Sequence, residues 1–494
     1  MPSKYILSID QSTSGTKALL FDNSGDLIAR CDLSHDQIIN KKGWVEHNPI
    51  QIYENTLSVV RNVVEKADID KNQITAVGIS NQRETALVWD KKTGMPVYNA
   101  VVWQCVRGQA ICNRIADEGF GDMVKSHTGL NLSPYFSAAK IAWILQNAEG
   151  IKEKAERKEL CCGTMDSWLV YKLTCGTSFK TDYSNASRTQ MFDINELKWD
   201  KDICNLFGIR AEMLAEVCDS NANYGETDFN GYLNKKIPIH GVLGDSHGAL
   251  FGQGCLNPGM IKATYGTGSS IMMNIGEKPI FSKNGIVTSL AWGIDGKVNF
   301  VLEGNINYTG AVIKWLIEDV KLIQSPKESG IIAASAKQED RAYLVPAFSG
   351  LGAPYWDSNA KATLCGMTRT TGKAEIVKAA VECIAYQISD VVNLMSEESK
   401  VKIEELRVDG GPTKNEYLMQ FQSDILDIPV KVPKMEELSG IGAAYLTGIK
   451  VGLYDKEKLF SRMEGMYFKP HMVNDIRASK YQGWKDAVAG TLTK

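Results

Sequence analysis

Nothing in this chain of 494 residues approaches the ~18 consecutive apolar residues that a membrane-spanning helix requires, so no membrane association is expected. The first apolar run opens at Tyr5 and meets Asp10 too soon to serve as a signal-peptide core, which points to a cytoplasmic protein. Excess charge of either sign is missing as well. Against 55 Lys and Arg stand 58 Asp and Glu, a formal net charge of −3, and no basic stripe marks a surface for nucleic acid. Clustered metal ligands are absent too: the six histidines are dispersed with no H-E-x-x-H. Of the eleven cysteines only Cys161 and Cys162 are close neighbours, too close to clamp one ion in the usual spaced pairs. Reduced, mostly buried thiols are therefore expected, and any metal should arrive with a ligand or sit on carboxylates.

What is present is chain enough for two large domains or three smaller ones, at roughly 150 residues each. Short β-type runs at residues 5–9, 17–21 and 27–29 alternate with the turns Gln11-Ser12-Thr13-Ser14-Gly15 and Asn23-Ser24-Gly25-Asp26, a β-meander. An amphipathic helix is predicted over Pro49–Ala67, a strand over 76–79, and helices over 108–116 and Ser137–Asn147. A second meander follows at 260–264, 269–274, 286–291 and 298–302, with the turn Tyr265-Gly266-Thr267-Gly268 inside it. Helices are predicted over 308–316 and 375–395, then a strand over Leu406–Asp409 and a helix opened by a Thr413/Glu416 capping box. The mixture indicates an α/β architecture, and the repeated plan indicates duplication into halves 1–250 and 251–494.

Two Thr/Ser/Gly turns, one per half, are the first chemical signal. Small residues let backbone N–H groups approach an anion and hydroxyls add donors, so such turns can cradle phosphate; the alternative is a plain hairpin turn. Neither turn contains a Walker A or G-x-G-x-x-G pattern. Asp10, at a strand end beside the first turn, is placed to hold Mg²⁺ through water, or else forms an Asx turn. Asp245 follows the strand-like run 237–243 and projects into whatever cleft divides the halves. In Gly78-Ile-Ser-Asn-Gln-Arg83-Glu84-Thr85 a guanidinium fork and a carboxylate stand side by side, suited to a polyhydroxy ligand or to a surface ion pair. Trp103 and Tyr135 offer flat faces for sugar C–H groups.

Longer motifs then accumulate. They are Tyr135-x-Ser137-x-x-Lys140-Ile-x-Trp143-Ile-x-Gln146-Asn147, and Ala362-x-Leu364-x-Gly366-Met367 with Glu375-Ile376-x-x-Ala379-Ala380-Val381-Glu382 after it. GWVEHNP from Gly43, NQRET from Asn81, TDYSNASRT from Thr181 and PAFSGLGAPYWD from Pro346 join them. Over essentially its whole length the chain resembles the FGGY carbohydrate kinases, and within them the glycerol kinase branch. The resemblance implies two ribonuclease-H-like domains of the actin, Hsp70 and hexokinase superfamily, with ATP, Mg²⁺ and a small polyol or sugar in the cleft between them, and a homodimer. A switching ATPase of the same superfamily is the rival from another class, and it would have no use for an acceptor pocket.

Carried over residue by residue, the resemblance makes Asp245 the general base, with Asp10 and Asp245 at the metal. Thr13, Ser14, Lys17, Gly266 and Thr267 would hold phosphates, and Gly310, Lys314, Gly411 and Asn415 would line the nucleotide site. Arg83, Glu84, Trp103, Tyr135 and Asp245 would contact the acceptor. Departures fall in that pocket: Ser246-His247 replace two glutamines and Ser270 replaces a phenylalanine common in the branch. Removing a ring's volume makes room for a four- or five-carbon acceptor, and the new hydroxyl and imidazole groups suit additional substrate hydroxyls. Glycerol itself remains the alternative.

Overall fold

A strand that is apolar on both faces must be covered on both, and the opening segment obeys this rule. In the computed structural model, which describes residues 4–493, β1 (Tyr5–Gln11) is buried from Ile6 onward inside a six-stranded sheet. β2 (Gly15–Phe21) and β3 (Leu27–Ser34) return antiparallel on one side of it. On the other side β4 (Ile74–Asn81) and β6 (Ile237–Gly244) run parallel to β1, and the short β5 (Glu226–Thr227) closes the edge antiparallel to β6. Helix α1 (Pro49–Ala67) starts where Asn48 caps it, its side chain accepting from Ile50 N at 2.9 Å, and lays Ile52, Val59, Val60 and Val63 toward β2 and β3.

The second sheet repeats this plan. β7 (Ile261–Tyr265), β8 (Ser269–Gly276), β10 (Lys297–Ile306), β11 (Leu406–Asp409), β12 (Val430–Pro433) and β13 (Gly465–Phe468) take the relative directions of β1, β2, β3, β4, β6 and β5. An additional strand, β9 (Val287–Ile294), extends the β10 edge. The chain is thus a duplicated α/β protein, as the paired meanders predict.

One local expectation fails. Instead of a capping box at Thr413 and Glu416, Gly411–Lys414 form a 3-10 turn in which Thr413 Oγ1 donates to Gly410 O at 2.7 Å. The cap of the following helix is Asn415, whose Oδ1 accepts from Leu418 N at 3.1 Å. Asn is at least as good an N-cap as Thr and stands directly before the helix, while the Thr413 hydroxyl finds a nearer carbonyl.

Two helices bolt the halves together. α3 (Asp245–Gly252) follows β6, and α7 (Leu438–Lys450), from the second half, comes back to pack on β1, β4 and β6 of the first sheet. They cross backbone to backbone: a Cβ on Gly442 would stand 1.9 Å from Gly248 O. Around the crossing Ile6, Leu19 and Leu243 of the first sheet share a core with Met272 and Val301 of the second, through Leu250 and Ile441 of the two helices. One side of the interface is therefore closed by apolar packing. No helix among the described residues is long and apolar enough to cross a membrane.

Gly442→Ala should separate these helices. Overpacking against rigid backbone costs about 1–3 kcal/mol, more than the roughly 1 kcal/mol of helix propensity that alanine adds. The urea midpoint should fall with little change in slope; an unchanged or raised midpoint would show that the crossing has room to spare.

Candidate active site

Parallel strands end on the same side, so β1, β4 and β6 deliver Asp10, the turn after Asn81 and Asp245 next to one another. In register Asp10 lies opposite Ser80, and Asn81 opposite Gly244. On the facing sheet Thr264 of β7 lies beside Asp409 of β11, ahead of the turns at Gly266 and Gly410. Between these ends opens a cleft of about 680 Å³, lined by Asp10, Lys17, Asp245, Ser246, Asp409 and Gly411 among others.

The turn after β4 is tight. Glu84 adopts a left-handed conformation, with φ of 56°, and Thr85 N donates to Arg83 O at 2.6 Å. A non-glycine residue held there is strained, as residues at working sites often are. The conformation sets the side chains of Arg83 and Glu84 into a buried ionic network. Arg83 donates from both terminal nitrogens to Glu303, 2.8 Å to each oxygen, and its Nε lies 3.2 Å from Asp245 Oδ1. Arg188 donates from Nε to Glu84 Oε1 at 2.6 Å and places Nη1 3.0 Å from Glu303 Oε2. Burial alone would raise the Glu303 carboxyl, but the Arg188 and Arg83 guanidinium groups outweigh it and hold Glu303 well below the usual carboxylate range. Sequence reading assigned a role to neither Glu303 nor Arg188. The visible traces were an acidic residue inside the apolar run Val301-Leu302-Glu303 and an arginine inside the quoted TDYSNASRT motif.

Asp245 opens α3 and is half-exposed, its Oδ1 accepting from Ser246 N at 2.6 Å. The preceding Gly244 N is fixed by Ser184 Oγ at 2.9 Å, and Ser184 is held by Asp182, which caps the short helix Tyr183–Ala186. Asp10 is buried, and its pKa is pushed up to about 6, chiefly by burial; Lys17 opposes the rise, while Glu437 and Asp245 add to it. Lys17 Nζ lies 3.9 Å from Asp10 Oδ2 and is also bound to Glu437, which Arg30 holds at 2.5 Å.

These groups fit a nucleotide and a divalent cation. Two carboxylates facing a polar cleft are hard oxygen donors of the kind Mg²⁺ takes through water. On the opposite wall a Cβ at Gly410, whose φ is 101°, would stand 2.0 Å from Tyr265 O, while a Cβ at Gly411 would meet nothing within 4 Å. The backbone can approach an anion there without a side chain in the way.

Of the remaining expected residues, Trp103 and Tyr135 pack edge to face with ring centroids 5.6 Å apart, and Trp103 Nε1 donates to Thr13 Oγ1 at 2.9 Å. The aromatic wall and the first turn are thus one unit, with Ser14 Oγ 3.4 Å from Ser12 Oγ. Thr267 is exposed on the second turn, which is tied to α4 (Gly310–Glu318) by Gly310 N donating to Gly266 O at 2.9 Å. Asn415 spends its side chain on the cap and on Ser329 Oγ at 3.2 Å.

Lys314, one helical turn past Gly310 on α4, is 68% exposed and lies 3.6 Å from Glu318. His247, expected against the acceptor, is fully buried instead. Helix phase turns it inward, two positions past Asp245, where a Cβ on Gly244 would stand 3.2 Å from its Nδ1. Burial and the nearby Arg83 hold its pKa well below the usual value, and neither ring nitrogen has a partner among the described residues. Ser270 is half-buried on β8 between Thr264 and Asn305, with its Oγ covered and likewise unpartnered.

Facing sheet ends with carboxylates and guanidinium on one wall and a glycine cradle on the other define a phosphotransferase cleft. Comparison with known proteins agrees. Residues 5–252 match the FGGY family of carbohydrate kinases, N-terminal domain, and residues 261–451 match its C-terminal domain. Glycerol kinase of Carboxydothermus hydrogenoformans is 48% identical over 490 residues, covering 99% of this chain and 98% of its own. Glycerol kinase 1 of Thermotoga maritima is 48% identical over 495 residues, covering 99% and 100%. The crystal structure of Plasmodium falciparum glycerol kinase with ADP superposes with a TM-score of 0.93 at 36% identity over 99% of both chains. A xylulose kinase from Lactobacillus acidophilus, 20% identical over 98% of this chain and 97% of its own, shares the fold with a TM-score of 0.88.

The chain belongs to the FGGY family of carbohydrate kinases. It is a glycerol-kinase-like sugar or polyol kinase with the two-domain fold of the actin, Hsp70 and hexokinase type, and kinases of this family use ATP as phosphate donor.

The raised Asp10 pKa has a signed consequence for stability. The folded state binds this proton more tightly than the unfolded chain does, so between the ordinary 3.8 and about 6 stability falls as pH rises. In magnesium-free buffer Asp10→Asn should unfold at higher denaturant than wild type above pH 6, by about 3 kcal/mol at most, and lose that advantage near pH 4. A difference independent of pH would remove Asp10 as its source.

Proposed function

We propose that this enzyme transfers the γ-phosphoryl group of ATP to a hydroxyl of glycerol or a closely related short polyol. The observation that carries the proposal is Asp245: half-exposed, with one oxygen 3.2 Å from Arg83 Nε, at the meeting point of the acceptor wall and the cleft that holds Asp10. A carboxylate so placed accepts the hydroxyl proton as the oxygen attacks. Arg83 has both terminal nitrogens bound to Glu303 and turns its Nε edge to Asp245, and Glu84 Oε2 has no hydrogen-bond partner among the described residues. Trp103 and Tyr135 supply the apolar wall. Lys17, Thr13, Ser14, Gly266 and Thr267 would cradle the phosphates, with Gly310, Gly411 and Asn415 toward the nucleoside. Asp10, with Asp245 beside it, would hold Mg²⁺; the bound ion neutralises phosphate charge. Residues 1–250 would then carry the acceptor side and 251–494 the nucleotide side. The relatives that carry the name glycerol kinase, at 48% identity, support glycerol as acceptor.

A second acceptor class rests on a separate observation. Ser270 is half-buried on β8 with its Oγ unpartnered among the described residues, and Ser246 lines the cleft. Buried polar atoms left unpaired favour a ligand that brings hydroxyls to them, which a four- or five-carbon polyol or sugar does better than glycerol.

The test is kcat/KM for glycerol, tetritols, pentitols and ketoses in wild type and Ser270→Phe. Glycerol should be phosphorylated, and Ser270→Phe should penalise any longer substrate more than glycerol; if glycerol leads the panel by a wide margin, the second class is excluded. Asp245→Asn should lower kcat about 10²- to 10⁴-fold with the KM for ATP little changed. Turnover at the wild-type rate would take Asp245 out of the mechanism.

A further inference from the structure

A fully buried lysine ordinarily pairs with a carboxylate, and Lys140 does not. It sits in the first turn of α2 (Ser137–Asn147) with no ion-pair partner among the described residues. Its Nζ donates instead to three consecutive backbone carbonyls, Pro134 O at 2.8 Å, Phe136 O at 3.0 Å and Tyr135 O between them. Three ammonium protons meet three acceptors, all on the segment that carries the Tyr135 ring. The next residue ties that segment to the ionic network, Ser137 Oγ donating to Glu84 O at 3.2 Å.

We propose that Lys140 is a positioning residue for the acceptor: its ammonium clamps carbonyls 134–136 and so sets the Tyr135 ring against Trp103. This rests on the acceptor role assigned to Tyr135 above. The clamp depends on charge, because a neutral amine has two donors and a lone pair, leaving one carbonyl unserved.

Burial pushes the Lys140 pKa down to about 7, with Glu84 opposing. The ammonium is therefore complete below that pH and lost as pH rises through it. Glu84, Cys105 and Cys112 are the titratable groups facing Lys140, and the Cys112 thiol on the helix Gln109–Asp117 is itself pushed up to about 11 by burial. The strands packed on α2, Ala86–Asp90 and Leu160–Thr164, add Asp90, which pairs with Lys154 at 2.6 Å, and Cys161 and Cys162, both raised by burial. The charged residues of the helix Ile151–Glu156 lie off the far end of α2.

The experiment measures the glycerol KM of the full chain from pH 6 to 8.5. Wild-type KM should rise about tenfold across the range with kcat and the ATP KM nearly flat, because a contact made equally in ground and transition states moves KM alone. Tyr135→Ala and Lys140→Met should each start from a higher KM and lose the pH dependence, and the double variant should be no worse than either single. A flat wild-type profile, a slope that survives Tyr135→Ala, or additive effects would overturn the proposal. Hydrogen exchange of residues 134–138 in the unliganded protein needs no turnover: protection should fall as pH rises through about 7, after correction for intrinsic exchange, and equal protection at pH 6 and 8.5 also overturns it. Should glycerol not be phosphorylated at all, the functional proposal fails while the exchange arm still decides the clamp.

Discussion

A single buried carboxylate from the second half, Glu303, holds the charged wall of the first. It grips Arg83 through two charge-assisted bonds and faces Arg188, whose other side holds Glu84. Taking such charges out of water is expensive, and their mutual attraction roughly offsets that; breaking the set by removing one member costs about 3–5 kcal/mol. The network therefore adds little net stability and a great deal of geometry. With two of its five N–H groups on Glu303, Arg83 turns its Nε toward Asp245, 3.2 Å away. Any hinge motion that moved β10 away from β4 would break both bonds to Arg83, so this wall keeps its geometry only when the halves are together.

The two sheets share a topology and divide the chemistry. Strand ends in the first half carry Asp10, Arg83 and Asp245, fixed charges suited to a metal and a reacting hydroxyl. The matching ends in the second half carry Gly266, Thr267 and Gly410, where backbone donors and open space suit an anion. Duplication supplies two sets of parallel strand ends, and the closed apolar interface at the α3–α7 crossing turns those ends toward each other.

Local signals were read well from the sequence, and long-range ones were not. Pro49–Ala67, Ser137–Asn147 and Leu406–Asp409 form with the expected bounds because the apolar periodicity and the flanking residues that set them are local in sequence. The return of α7 onto the first sheet was invisible, since an apolar face does not say which sheet it will meet. The same limit applies to the site. Asp10 and Asp245 were legible as acids at the ends of apolar runs. Glu303 and Arg188 have meaning only through partners far away in sequence, and their neighbours give no hint of the pairing. His247 shows the converse error: adjacency to Asp245 suggested a shared cleft, but helical phase separates neighbours two apart, and the imidazole turned inward.

Several unfavourable features lie where the two halves face each other: the strained turn at Glu84, an Asp10 carboxyl held up near 6, and orphaned polar atoms at His247 and Ser270. Each such feature costs about 1–3 kcal/mol, so together they would exceed a large share of a typical domain's net stability of ~5–15 kcal/mol. They persist because the surroundings over-determine them, with the strands on either side of the Glu84 turn fixed in register and the α3–α7 crossing allowing no slack. A cation brought to Asp10 relieves one of these penalties instead of adding contacts to a satisfied surface.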